Sequence, residues 1–469
     1  MAERDPAGIP ILATKLFIPQ VRQSLVSRPR LIERLNAGLR NQLILICAPA
    51  GFGKTTVVSS WVRSLDGRHD PDSPGRPQTL HVRPHPNVPV AWLSLDQGDN
   101  DPTRFLLYLV AALQHISPEI GRETQATLEA SAAPPPSVSA VVGALINDLA
   151  SLASVSSLDL ASLPALADHA ADFLLVLDDF HTVDDVAIHE AIQTLVAHQP
   201  PHMHLVIVTR EDPPLPLARL RALGQLTELR ADDLRFSPEE TGFFLREVMG
   251  LALEARDIQE LDARIEGWIA GLQLAALSMQ HRPDPAGLIA DLGGTHHFII
   301  SYLTEEVLRH LSPDVRSFLL QTSVLTRLTG PLCDAVTRRV DGEAMLQHLY
   351  TSNAFVIPLD ERHEWYRYHH LFAEMLLSQL RRIQPGLVPA LHARACDWYE
   401  AQGMIAEAIE QAFAAEDYGT VVRLLEEHAR PITCRGTLGR WATGSSGCPN
   451  SGASADHEPT WPLAGPCCC

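Results

Sequence analysis

Five short apolar runs, Leu43–Cys47, Val90–Leu95, Phe173–Leu177, His204–Thr209 and Leu226–Leu229, alternate with longer stretches of helical periodicity. Runs that are apolar on both faces and joined by helices predict a parallel sheet covered on both sides, so residues 1–235 read as an α/β domain with an N-terminal lead-in. Two stretches break the rhythm: Asp66–Pro89, with six prolines, and Ala150–Ala170, built mostly of Ala, Ser, Leu and Asp. Both read as surface insertions or linkers.

Beyond Arg235 the strand signal stops. Ser237-Pro238-Glu239-Glu240 is a capping box with proline at the first helical position, and it opens an all-α domain over 236–310. Within it, Trp268, Leu272, Ala275, Ala276 and Met279 recur at three- and four-residue spacing, which predicts a helix face in a core with no cofactor role. Residues 311–382 show short helices, then the extended runs Ala354–Leu359 and Trp365–Tyr368 around Asp360–Glu364, then another helix, the order of a winged-helix domain. Residues 383–430 are helical with a turn at Gly403, the start of an α-superhelical repeat domain of which one unit is present. Over 431–469 the pattern collapses: 39 residues hold 6 Gly, 5 Pro, 5 Cys and 4 Ser. That stretch reads as aberrant, either out of frame or a native disordered tail.

Composition narrows the functions. The 469 residues carry 37 Lys plus Arg against 56 Asp plus Glu, a net charge of −19, which disfavours nucleic-acid binding by this chain alone. No apolar run reaches the ~18 residues of a membrane span, and Glu3, Asp5, Pro10 and Pro19 replace the basic and apolar regions of a secretory signal, so a cytoplasmic location is expected. Cys47, Cys333 and Cys396 read as reduced thiols. Cys434, Cys448, Cys467, Cys468 and Cys469 match neither a disulfide framework nor a zinc site.

The chemistry concentrates after the first apolar run, at Ala48, Pro49, Ala50, Gly51, Phe52, Gly53, Lys54, Thr55 and Thr56. A polyphosphate needs converging backbone N–H donors at a helix N-terminus, a cation for its β- and γ-phosphates and a hydroxyl for Mg²⁺. Gly51 and Gly53 permit the wrap, Lys54 supplies the cation and Thr55 the hydroxyl. Ala48 stands where the strict G-x-x-x-x-G-K-[ST] pattern has its first glycine. The run Phe173–Leu177 leads into Asp178 and Asp179, with Asp178 expected in the Mg²⁺ shell and Asp179 polarising a water. Arg210 ends the next run at the edge where ligands sit in open parallel sheets, placed to sense a γ-phosphate or to make a structural ion pair. His181, His363, His369 and His370 lack metalloprotease spacing.

These motifs, with Thr14-Lys15-Leu16, Arg28-Pro29-Arg30-Leu31, Trp92–Asp96, Asp99–Pro102, Gly267–Leu274 and Tyr366–Phe372, resemble the MalT-like large ATP-binding regulators of the LuxR type, STAND-class signal-transduction ATPases. The resemblance spans residues 11 to about 441. It implies an ATP/ADP switch with slow hydrolysis, closed on ADP at rest and released by inducer and ATP for self-assembly. It also implies that Arg28, with Val26 and Ser27, lines the adenine and that His369 touches bound ADP. The family's sensor repeats, which would take a small-molecule inducer, and its DNA-binding helix-turn-helix have no counterpart in this sequence. The alternatives are a stand-alone ATPase or small-molecule kinase, and an inert fragment that binds nucleotide without DNA. The first needs an acceptor pocket with a catalytic base, for which Asp179 is the sole candidate.

Overall fold

The computed structural model describes residues 11–21, 25–65, 88–129, 137–159, 172–280, 289 and 297–434. Five parallel strands form the central sheet: β1 (Leu43–Cys47), β2 (Val90–Ser94), β3 (Phe173–Asp178), β4 (Met203–Thr209) and β5 (Leu226–Leu229), in the order β2-β3-β4-β1-β5. The strands β1, β3 and β4 are buried along their whole length, which is why their sequences run apolar without alternation.

Helices α1 (Pro29–Gly38), α2 (Lys54–Leu65), α3 (Pro102–Leu113), α4 (Arg122–Glu129), α5 (Val138–Asp159), α6 (Val186–Ala197) and α7 (Leu217–Ala222) accompany the sheet. Leu43, Leu45, Leu175, Leu205 and Ile207 share one core with Phe105, Leu109, Leu145, Ile188 and Ile192. Each such side chain contributes about 1.5–3 kcal/mol by leaving water. Asp101 and Asp185 cap α3 and α6 through their carboxylates. The expected interruption at Ala150–Ala170 is corrected in its first part: α5 continues to Asp159, because Ala, Ser and Leu contain no helix breaker. The remainder of that stretch, residues 66–87 of the proline-rich one, and the tail beyond Cys434 lie outside the described residues.

The lead-in is tied to the sheet edge. Lys15 Nζ, on a short 3₁₀ turn (Ala13–Leu16), binds Asp99 Oδ2 at 2.6 Å and Asp96 Oδ2 at 2.7 Å, and Arg104 adds a third charge to the fully buried Asp99. Two short helices, α8 (Ala231–Leu234) and α9 (Pro238–Phe243), follow the sheet, and α9 runs on into a π-helical turn, Phe244–Val248. The predicted capping box is present: Ser237 Oγ accepts from Glu240 N–H at 3.2 Å, and Glu240 Oε2 accepts from Ser237 N–H at 3.1 Å. Next come α10 (Ala255–Ile265), α11 (Ile269–Met279), α12 (His297–Glu306), α13 (Pro313–Thr322), α14 (Gly330–Thr337) and α15 (Gly342–Thr351). The antiparallel hairpin β6 (Val356–Pro358) and β7 (Tyr366–Tyr368) precedes α16 (His370–Ile383), as the sequence order predicts.

The chain divides into two compact units, Met1–Leu391 and His392–Cys469. The second contains the end of α17 (Val388–Ala401), then α18 (Ile405–Ala414) and α19 (Tyr418–Cys434). Gly403, at φ +73°, makes the turn between the first two of these, and His392 Nδ1 shares a 2.7 Å hydrogen bond with Gln411 Oε1. No described helix is long and apolar enough to cross a membrane.

Candidate functional site

Strand order builds the site. Because β4 lies between β1 and β3, the carboxyl edge of the sheet brings the turn after β1, the acidic pair after β3 and Arg210 after β4 side by side. Ala48 N–H donates to Thr209 O at 3.3 Å, so this position still extends the ladder and needs no glycine. Gly51 and Gly53 sit at φ +79° and +74°, the left-handed region that makes glycine the fitting residue at each. Helix α2 begins at Lys54, and Thr56 lies on its exposed side.

Lys54 is buried, and its Nζ donates to Pro49 O at 3.0 Å, which fixes the ammonium across its own loop. Burial, then the positive charge of Arg210, lower its pKa to about 8 against the pull of Asp179, Cys47 and Asp178. The Thr55 hydroxyl donates to Asp178 Oδ1 at 3.0 Å. Burial and the neighbouring Asp179 push Asp178 up to about 7, outweighing the Thr55 bond. A buried carboxylate next to a second carboxylate and in contact with a hydroxyl suits a hydrated Mg²⁺ that would supply the missing positive charge, so Thr55 and Asp178 fit the ion. Asp179 adopts φ +55°, a left-handed conformation that Asp tolerates better than most side chains. Asn100 braces the loop behind it, donating to Thr182 O at 2.9 Å and accepting from Asp184 N–H at 2.6 Å. That role for Asn100 was not legible in sequence.

The phosphate loop has a lid of protein on its other side. Trp268 Nε1 donates to Ala50 O at 3.1 Å, and Ala270 N–H donates to Gly51 O at 3.0 Å. A Cβ at Gly51 would come within 2.5 Å of Ala270 Cβ and 2.9 Å of Tyr302 Oη. The stripe headed by Trp268 is buried as expected, yet its first residue also holds the loop. The signal was the pair Gly267 and Gly271. Gly267 turns at φ +67°, and a Cβ at Gly271 would meet Trp268 at 2.4 Å.

From Trp268 the contacts pass to the hairpin. Its ring meets Phe355 at 5.4 Å and His369 at 6.0 Å, both edge-on, and Phe52 of the loop meets Phe355 at 6.3 Å. His369 is buried; its Nε2 donates to Ile265 O at 3.0 Å, and its Nδ1 has no hydrogen-bond partner among the described residues. Burial lowers its pKa from 6.5 to about 4 despite Glu266. Glu266 in turn takes both guanidinium nitrogens of Arg367, at 2.8 and 2.9 Å, and Arg235 at 3.2 Å. Burial alone would raise Glu266, but Arg367, His369 and Arg235 hold it down to about 2.

The neutral His369 makes an acid-sensitivity prediction. The unfolded chain accepts a proton near pH 6.5 and the folded chain only near 4, so the histidine's contribution is complete above 6.5 and disappears as pH falls through 4. About 3 kcal/mol of stability should be lost across that window. His369→Gln, whose amide keeps a donor for Ile265 O but does not titrate, should flatten the acid limb in denaturant titrations at pH 7, 5.5 and 4. An unchanged limb would contradict the burial argument.

Arg210 is brought to the site but spends its donors elsewhere: Nη1 on Glu306 O at 2.8 Å and Nη2 on Glu306 Oε2 at 3.0 Å. Of the two sequence readings, the structural ion pair is the one present. Arg28 is not aimed at the phosphate loop. Its three nitrogens serve Glu240 (3.1 and 3.2 Å), Leu234 O (2.9 Å) and Arg235 O (2.7 Å), and the guanidinium stacks 5.1 Å from the Phe236 ring. The side chain clamps the connection between sheet and helices, as its burial requires.

Residues 304–388 match the MalT winged helix domain model. Over 89% of its length the chain is 31% identical to the serine/threonine-protein kinase PknK of Mycobacterium tuberculosis, covering 34% of that protein. It is also 31% identical to the HTH-type transcriptional regulator MalT of Yersinia enterocolitica, again over 89% of this chain and covering 42% of the relative. A solved Walker-type ATPase of Pyrococcus abyssi overlaps 76% of this chain and 97% of its own at a TM-score of 0.47 and 14% identity. The chain thus spans well under half the length of the curated relatives it matches. The chain therefore resembles part of MalT over 89% of its own length, and its residues 304–388 match the MalT winged helix domain.

Proposed function

We propose that this chain is the nucleotide-operated switch of a MalT-type regulator, holding ADP between the phosphate loop and the winged-helix hairpin at rest and exchanging it for ATP on activation. The backbone N–H groups after Ala50 and the Lys54 ammonium bind the phosphates. Thr55 and Asp178 would hold Mg²⁺, which would supply positive charge beside the phosphates. Asp179 accepts the proton of an attacking water, and hydrolysis is slow, resetting the state rather than sustaining turnover.

The observation that carries this reading is the unbroken path from Ala50 and Gly51 through Trp268 to Phe355 and His369, which ends at a buried ring nitrogen without a partner among the described residues. In the neutral ring that nitrogen is an acceptor, so a phosphate oxygen would bond it only by raising the ring's pKa from about 4 and bringing a proton onto Nδ1. The relatives add support: a kinase and a transcriptional regulator both contain a segment similar to nearly all of this chain, as expected of a control module serving different effectors. DNA binding, the inducer and self-assembly on activation then belong to the whole regulator, in the cytoplasm.

The test is the dissociation rate of fluorescent ADP. His369→Ala should accelerate release roughly tenfold, the worth of one hydrogen bond to a charged group. An unchanged rate would remove His369 from the nucleotide site.

A further inference from the structure

Helix α12 touches the nucleotide site twice, one helical turn apart. Tyr302 lies against Gly51 of the phosphate loop, and Glu306 takes the Arg210 guanidinium through both its main-chain oxygen and its carboxylate. Arg210 is also held from behind, since Asn353 Nδ2 donates to Arg210 O at 2.9 Å. The arginine stands between phosphate loop and acidic pair, close enough for its charge to depress the pKa values of Lys54 and His181.

A guanidinium pairs with carboxylate and phosphate oxygens by the same donor geometry, so one arginine cannot serve both fully. We propose that Glu306 competes with the γ-phosphate for Arg210 and thereby sets the preference of the site for ADP over ATP. This rests on the nucleotide-switch reading above. The Glu306 side chain is 42% exposed and that of Arg210 29%, so the pair is weak enough for a dianionic γ-phosphate to displace. With ADP nothing competes, and Arg210 stays on α12. With ATP the guanidinium moves to the γ-phosphate, and α12, whose last turn enters the winged helix match at residue 304, loses this hold on the sheet.

The experiment measures ATP and ADP affinities of the full chain by calorimetry with Mg²⁺. Glu306→Ala should tighten ATP roughly fivefold while leaving ADP unchanged or weaker. Adding Arg210→Ala should cancel the gain, because the two substitutions act on one interaction. Since Glu306 is half-exposed, folding is not at risk, and Glu306→Gln should give a smaller shift of the same sign. If the unsubstituted chain binds both nucleotides but Glu306→Ala leaves their affinity ratio unchanged, the competition is refuted and the switch stands. If the unsubstituted chain binds neither, the switch reading fails and the competition with it.

Discussion

Replacing Lys54 with alanine should lower the affinity for ATP and ADP by at least about 100-fold, because in the proposed switch the ammonium would make charge-assisted bonds to two phosphates and no other described cation is fixed inside the loop. Arg210, the nearest substitute, is engaged by Glu306. The substitution leaves the loop fold in place, since Gly51 O and Ala50 O keep their donors from Ala270 and Trp268. Calorimetry reads the affinity and a thermal melt reads the fold. Unchanged ATP affinity in a folded Lys54→Ala chain would remove the phosphate-loop assignment.

The largest stability effect is expected at Trp268. Its side chain is completely buried, packs against Tyr302, Phe355 and His369 and bonds Ala50 O. Trp268→Ala should cost about 3–5 kcal/mol through the cavity it leaves, and nucleotide affinity should fall with it as the loop loses its support. Trp268→Phe keeps most of the ring but abandons the Ala50 carbonyl, so it should cost about 1–3 kcal/mol. Urea denaturation of the variants measures both. A loss below about 1 kcal/mol for alanine would show that the loop does not depend on this packing.

The elements that local pattern controls were legible in the sequence. Strands β1 and β5 have the predicted bounds, and β2, β3 and β4 differ from expectation by one residue at one end. Ser237 caps where the S-x-x-E spacing says it should, and the hairpin appears in order but shorter, because pairing covers only Val356–Pro358 and Tyr366–Tyr368. What could not be read was the pairing of distant residues. Trp268 and Ala50 are 218 positions apart, Arg28 and Glu240 are 212, and Asn353 and Arg210 are 143. Arg28 and Arg210 advertise themselves only as basic residues near motifs; their partners are set by the way the helices after β5 fold back on the sheet. Ala150–Asp159 misled for a local reason, since a low-complexity Ala/Ser/Leu stretch is compatible with linker and helix alike.

The central claim is that one nucleotide engages both the phosphate loop and the winged-helix hairpin. Hydrogen exchange of the full chain with and without ADP tests it most directly. The account predicts slower exchange on ADP addition in two separate segments, Lys54–Trp61 and 353–370, with both effects absent in Lys54→Ala. Protection confined to Lys54–Trp61, with the hairpin indifferent to ADP, would contradict it.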